Sequence, residues 1–303
     1  MVNLKVSISK LKLKTPIILA SGVLGSSYST INRVIRETRI GAIVTKSFTW
    51  EPRVGYNTPI VAYTKAGIVN AVGLTNPGYR ALKEILSNIV KNDAPIVVSI
   101  AASTPKEYAE IASFAEENGA DAVELNLSCP HVKGHGLEIG QDPEYVGKIV
   151  HEVRSVLKIP VIVKLGLTDR IVDSALKAEK AGADAVSAIN SIRSVVIDVY
   201  ARKPILSNIY GGLSGPAIHP IAVRVVFDLY KNIEIPIIGI GGVTDWVDAV
   251  EFFLAGASAV AIASVIAVKG LKVIDEIIKG IEEYMDKEGF QKISELVGLA
   301  HGN

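Results

Sequence analysis

Gly119-Ala120-Asp121-Ala122-Val123 and Gly182-Ala183-Asp184-Ala185-Val186 are the same five residues met twice in the chain. Two further runs open alike, Gly41-Ala42-Ile43-Val44 and Gly256-Ala257-Ser258-Ala259-Val260. Between them stand runs that open with proline: Pro16-Ile17-Ile18-Leu19, Pro95-Ile96-Val97-Val98, Pro160-Val161-Ile162-Val163 and Pro236-Ile237-Ile238-Gly239. The two kinds strictly alternate, giving eight short apolar runs. Consecutive apolar, β-branched positions are what a parallel strand buried on both faces requires. Proline lacks an N–H and suits the first residue of a strand. Glycine directly after a helix takes the left-handed cap conformation without strain.

Helical patterns fill the gaps. Residues 106–118 and 171–181 carry apolar residues at helical spacing with charges between them. Thr104-Pro105 and Asp142-Pro143 have the form of an N-cap followed by proline at the first helical position. Eight strands separated by helices predict an α/β fold, a (β/α)8 TIM barrel, in a single domain over residues 1–303. A short N-terminal β-hairpin is expected to precede it. A doubly wound sheet is the alternative, but eight regular units are the barrel's count. Successive strand starts lie 25, 54, 24, 41, 22, 54 and 20 residues apart. The long intervals follow the second, fourth and sixth strands and predict insertions there. In this fold the loops after the strands build the active site, so residues 46–79, 127–142 and 190–216 are the expected functional regions.

Composition narrows the function. The 303 residues are 49% hydrophobic and include one cysteine. A single thiol cannot supply a disulfide framework or an all-cysteine zinc or iron–sulfur site. Lys+Arg 32 against Asp+Glu 31 is not the charge of a nucleic-acid binder. The lysine-bearing N-terminus holds no apolar run of signal-peptide length. The apolar stretch between Glu251 and Lys269 is short for a membrane span and reads as a helix end, a turn and a buried strand. A soluble, cytoplasmic protein is expected.

Polar residues collect where the strands finish: Lys46-Ser47, Asn126, Lys164, Asn190-Ser191, Gly241-Gly242 and Ala263-Ser264. Lys164 inside Val163-Lys164-Leu165 needs an anion or acceptor to offset its burial, unless it snorkels. Cys129, past a strand and before proline in a glycine-rich loop, reads as reactive rather than as an inert small hydrophobe. Cys129, His131, His135 and Glu138 have metal-like spacing, but Gly134, Gly136 and Gly140 favour a flexible lid, and no metal is assigned. The segment Gly239-Ile240-Gly241-Gly242 lacks the last glycine of a dinucleotide fingerprint, where Thr244 stands, and suits a phosphate cradle after the last two strands. A phosphate site with a lysine at mid-barrel height suggests a phosphorylated flavin.

Ala20-Ser21-Gly22, Thr45-Lys46-Ser47, Asn70-Ala71-Val72-Gly73-Leu74, Glu124-Leu125-Asn126-Leu127-Ser128-Cys129-Pro130, Val163-Lys164-Leu165, Gly211-Gly212-Leu213-Ser214-Gly215-Pro216-Ala217-Ile218 and Gly239-Ile240-Gly241-Gly242 resemble, in order and over nearly the whole chain, the dihydroorotate dehydrogenases. The resemblance is to the cytosolic, cysteine-using class 1, most of all to the catalytic subunit of its class 1B. It implies one FMN per chain and oxidation of dihydroorotate to orotate in pyrimidine synthesis, with Cys129 as the catalytic base. It assigns Lys46, Asn70, Ala71, Val72, Gly73, Leu74, Asn126, Asn190 and Ser191 to the substrate. It assigns Ser21, Lys46, Ser47, Ser99, Asn126, Lys164, Ile189, Gly215, Gly241, Gly242, Ala263 and Ser264 to the flavin. His131, Ser99 and Ala263-Ser264 depart from the usual residues. The segment beginning Ser128-Cys129-Pro130-His131 is similar to the pyrimidine-reducing barrel of dihydropyrimidine dehydrogenases. The resemblance also implies a homodimer core and, for the NAD-linked branch, a separate subunit carrying FAD and an iron–sulfur cluster, together a heterotetramer. Fumarate as direct oxidant is the alternative. Two other barrel chemistries stay open on the residues alone, a Schiff-base lyase through Lys164 and an RNA-modifying flavin enzyme.

Overall fold

The structure is a computed structural model that describes residues 2–90, 94–128 and 137–302. Its centre is a closed barrel of eight strands: Ile17–Leu19, Ala42–Val44, Ile96–Ile100, Ala122–Leu127, Val161–Leu165, Ala185–Ala188, Ile237–Ile240 and Ala259–Ile262. All neighbours are parallel, and the order around the barrel is the order in the chain. These are the eight runs that the proline and glycine-alanine openings marked, each starting within a few residues of its opening.

The punctuation works as expected at most positions. Thr104 accepts a hydrogen bond from the Glu107 N–H at the start of helix Pro105–Glu117, and Asp142 accepts from the N–H groups of Glu144 and Tyr145 at the start of helix Pro143–Val156. Gly119, Gly182 and Gly256 follow helices with φ of 93°, 99° and 116°. Gly41 differs. It is absent from the left-handed region, and a Cβ there would lie 2.0 Å from the carbonyl oxygen of Thr15. This glycine exists for the close approach of two chains, not for a cap. The apolar stretch 252–268 holds the end of helix Trp246–Leu254, a turn and the eighth strand, and then a further short helix, Ser264–Lys269, that the pattern had not separated. No helix among the described residues is long and apolar enough to cross a membrane.

The N-terminal hairpin is present, with Val6–Ile8 antiparallel to Leu11–Leu13. Its Ile8, Leu11 and Leu13 are buried against Ile18, Ala42, Val97, Ala122, Ile162 and Ala185 inside the barrel. Apolar surface thus closes one end, and the other end carries the polar side chains. Helices pack outside the strands in a second, larger core.

The insertions after the second and sixth strands join each other. Ile192–Val195, Tyr210–Ser214, Gly67–Asn70 and Val61–Thr64 form one antiparallel sheet, with Gly212 opposite Asn70. The insertion after the fourth strand falls largely on 129–136, outside the described residues. Helix Leu137–Gly140 follows it.

Candidate functional site

Side chains alternate along a strand, so Glu124, Asn126 and Ser128 share one face of the fourth strand and its extension. Register extends this face sideways. Ser99 pairs with Glu124, Asn126 with Lys164, and Lys164 with Ser187. Four adjacent strands therefore send polar groups inward at one level. All of these side chains are buried, Glu124 to 2% and Lys164 to 4% exposure. Burial without partners would be costly, and the partners are present. Lys164 Nζ lies 3.8 Å from Glu124 Oε1. Ser99 and Ser187 each donate to a different oxygen of Glu124, both at 3.2 Å. Asn126 Nδ2 donates to Ser47 Oγ at 2.9 Å, and Asn190 Nδ2 donates to Ser128 Oγ at 2.9 Å.

Above this layer is a cavity of about 310 Å³, within the range of small-molecule sites. Its floor holds Lys164, Asn126 and Ser47; one wall comes from Ile189, Asn190 and Ser191, and another from Asn70, Val72, Gly73 and Leu74. The joined insertions thus bring Asn70 of one loop over the residues of another, with its Nδ2 donating to the Gly212 carbonyl at 3.5 Å. Lys46 lines the cavity half-buried, and desolvation pushes its ammonium below the ordinary lysine value.

The far end of the cavity is made by Gly241, Gly242, Val243, Ala263 and Ser264. Gly242 has φ of 72°, and a Cβ there would lie 2.6 Å from His219 Cβ. The turn is held from behind. His219 Nδ1 donates to the Gly241 carbonyl at 3.0 Å, and its Nε2 lies 3.0 Å from Glu251 Oε2. The N–H groups of Gly242 and Val243 take part in no hydrogen bond among the described residues and remain available to an anion. His219, Asp248 and Glu251 are close enough to hold a cation. Asp248 Oδ2 accepts from the Thr244 N–H and hydroxyl at 2.7 and 2.8 Å, while Oδ1 lies 3.6 Å from His219 Nε2.

Most of the expected site residues meet in this one cavity. Three stand back from its wall. Ser99 is fully buried one layer below, hydrogen-bonded to Ser47 at 2.9 Å. Ala71 points into a small cluster with Ala62, Val69 and Leu206 beneath the insertion sheet. Gly215 lies where a Cβ would meet Gly67 Cα at 2.7 Å, so it shapes the sheet behind the cavity. Cys129, with His131 and His135, lies outside the described residues. Glu124, Ser128, Ser187 and His219 were not singled out from the sequence. The alternation Glu124, Asn126, Ser128 within an apolar strand carried the signal for the first two; His219 left none, because its role depends on a turn and a helix brought together by the fold.

The description "Dihydroorotate dehydrogenase" belongs to the family profile that matches residues 3–285. A relative from Pyrococcus furiosus, named dihydroorotate dehydrogenase B (NAD(+)), catalytic subunit, is 49% identical over 98% of this chain and 99% of its own. The protein of the same name from Methanothermobacter thermautotrophicus is 46% identical over 98% of both chains. A relative from Aeropyrum pernix, named putative dihydroorotate dehydrogenase A (fumarate), is 48% identical over 99% of this chain and 98% of its own. The chain belongs to the dihydroorotate dehydrogenase family.

Proposed function

We propose that this member of the family is the catalytic subunit of an NAD-linked dihydroorotate dehydrogenase, which oxidises (S)-dihydroorotate to orotate in pyrimidine biosynthesis. The observation that carries the reading is the composition of the cavity. Neutral amides and hydroxyls from Asn70, Asn126, Asn190 and Ser191 surround one region of it, with the Lys46 cation beside them. Planar amides donate and accept in a plane, which matches the edges of an imide ring. A half-buried ammonium matches a ring carboxylate.

The rest of the cavity fits FMN. The Gly241–Gly242 turn leaves room where a Cβ would clash and presents N–H groups for a phosphate. Ile189, Ala20 and Ile240 supply apolar wall for a flat ring, and Lys164 supplies a buried cation. FMN, when bound, supplies the acceptor for the hydride leaving C6 of the substrate. Lys164 would stabilise negative charge that builds up beside it. Lys46 would hold the substrate carboxylate, and the asparagines would fix the ring in the plane in which C5 and C6 react. Cys129 would take the C5 proton as its thiolate.

Electrons must then leave this chain. One cysteine cannot ligate a cluster, so an iron–sulfur relay with FAD belongs to a separate subunit, as the relatives' designation "catalytic subunit" supports. A homodimer core is supported by the exposed Ile197, Val199, Tyr200, Ile209 and Tyr210 on the sixth-strand insertion. The fumarate-named relative supports a second reading for the acceptor alone. Purification of the native complex tests the assignment. NAD reduction by dihydroorotate that needs a co-purifying flavin and iron–sulfur subunit is expected. Fumarate-driven turnover by the isolated chain would replace the NAD reading.

A further inference from the structure

Glu124 is a buried carboxylate that does not line the cavity and has no part in the chemistry above. We infer that it is the positioning residue of the site: it fixes the hydroxyl directions of Ser99 and Ser47 beneath Asn126, and it offsets the charge of Lys164 under the flavin. The inference rests on the flavin reading and goes beyond it, because it assigns the group that tunes the site rather than one that touches a ligand.

A hydroxyl has one proton to donate, and a carboxylate paired with lysine has none. Ser99 donates its proton to Glu124 Oε1 at 3.2 Å. In the 2.9 Å contact between Ser47 and Ser99, Ser99 is therefore the acceptor and Ser47 the donor. Ser47 Oγ in turn accepts from Asn126 Nδ2 at 2.9 Å. That places Asn126 Oδ1 on the other side, where it accepts from Ser128 Oγ at 2.9 Å and from the Ser128 N–H at 3.3 Å. Ser128 Oγ accepts from Asn190 Nδ2 at 2.9 Å, and Asn190 Oδ1 accepts from the Ser191 N–H at 2.7 Å.

Every link runs the same way, from a backbone N–H at Ser191 to the carboxylate of Glu124. Backbone N–H groups can only donate and the carboxylate can only accept, so the two ends agree and no link is frustrated. The chain passes through Asn190, Asn126 and Ser47, three residues that line the cavity. Backbone groups orient the two amides, with the Ser128 carbonyl also accepting from Asn190 Nδ2 at 3.2 Å, and Glu124 fixes the direction of the Ser47 hydroxyl through Ser99.

The same carboxylate faces Lys164 at 3.8 Å, and Ser187 occupies its second oxygen at 3.2 Å. A lone ammonium at the cavity floor would favour the reduced, more negative flavin strongly. The adjacent carboxylate cancels part of that field, which in a buried site is large. Glu124 therefore holds the flavin potential below the value that Lys164 alone would impose, so that reduced flavin still passes its electrons on.

The test is the midpoint potential of FMN bound to the full-length chain, read spectroscopically against a reference dye without turnover. Glu124→Gln keeps the shape, removes the charge and introduces a donor. At fixed potential the ratio of reduced to oxidised FMN should rise at least tenfold, about 30 mV for a two-electron couple. Glu124→Asp keeps the charge and should stay within twofold of wild type. A folded, FMN-loaded Glu124→Gln protein whose ratio changes less than twofold, or falls, overturns the inference while leaving the flavin reading intact. Where Glu124→Gln does not fold, Glu124→Asp decides: a ratio within twofold supports the inference and a tenfold departure overturns it. A wild-type chain that takes up no FMN overturns the flavin reading and this inference with it.

Discussion

Gly242→Ala, in the turn proposed to hold the FMN phosphate, and Gly289→Ala, at the end of helix Lys272–Glu288, separate close approach from backbone strain. The two glycines have similar φ, 72° and 83°. An L-residue in that region costs roughly 1–2 kcal/mol. Their surroundings differ. A Cβ on Gly289 meets nothing within 4 Å, whereas one on Gly242 lies 2.6, 2.7 and 2.8 Å from Cβ, N and Cα of His219. His219 cannot withdraw. It is the first residue of helix His219–Tyr230, is 7% exposed, and bonds Gly241 and Glu251 through its ring. Overpacking of this kind adds about 1–3 kcal/mol, so Gly242→Ala should cost about 2–5 kcal/mol against about 1–2 for Gly289→Ala. The turn is the part free to move, and it takes the N–H groups of Gly242 and Val243 with it. Hydrogen bonds to a charged group are worth roughly 1.5–3 kcal/mol each. Losing two weakens FMN binding by about two to four orders of magnitude. Fluorescence titration of FMN into the apoprotein, with thermal melts of both variants, reads the difference. Gly289→Ala should melt a few degrees lower with wild-type FMN affinity. Gly242→Ala with FMN affinity within threefold of wild type would refute the assignment of this turn to the phosphate.

Three further outcomes follow from the site. Cys129→Ala should leave FMN bound and slow its reduction by dihydroorotate about 10²–10⁴-fold, the range for a general base; an undiminished rate in stopped flow removes Cys129 from the chemistry. Lys46 loses its proton below the ordinary lysine value of 10.5 because burial disfavours its charge. Orotate affinity should therefore fall as pH rises through that lowered value, while Lys46→Met shows no such limb. The unfolded chain holds more protons between the lowered value and 10.5, so this group's contribution to folding stability rises with pH across that window. Lys164→Met leaves Glu124 buried without its counter-charge and should cost about 3–5 kcal/mol in denaturant melts, with most of it recovered in Lys164→Met/Glu124→Gln; a double variant no more stable than the single one contradicts the pairing.

The barrel was legible because its punctuation is local. Proline at a strand start and glycine after a helix act within a few residues, and Thr104 and Asp142 cap the helices their dipeptides marked. The site was legible where a polar residue interrupts an apolar run, as Lys164 does. Glu124 does the same in Ala122–Leu127, yet its meaning depends on Ser99 and Ser187, which only barrel register brings beside it. The insertion sheet was hidden for a related reason. Asn70 and Gly212 pair although they stand 142 positions apart in the chain, and neither segment shows its partner in its own pattern. Gly41 reads like its three counterparts because a close approach and a helix cap select the same residue.

Anaerobic addition of dihydroorotate to the FMN-loaded chain is the most direct measurement of what the cavity is for. Loss of the oxidised flavin absorbance with dihydroorotate, much faster than with dihydrouracil, is the expected result. Flavin that stays oxidised with dihydroorotate, or is reduced faster by dihydrouracil, would contradict it.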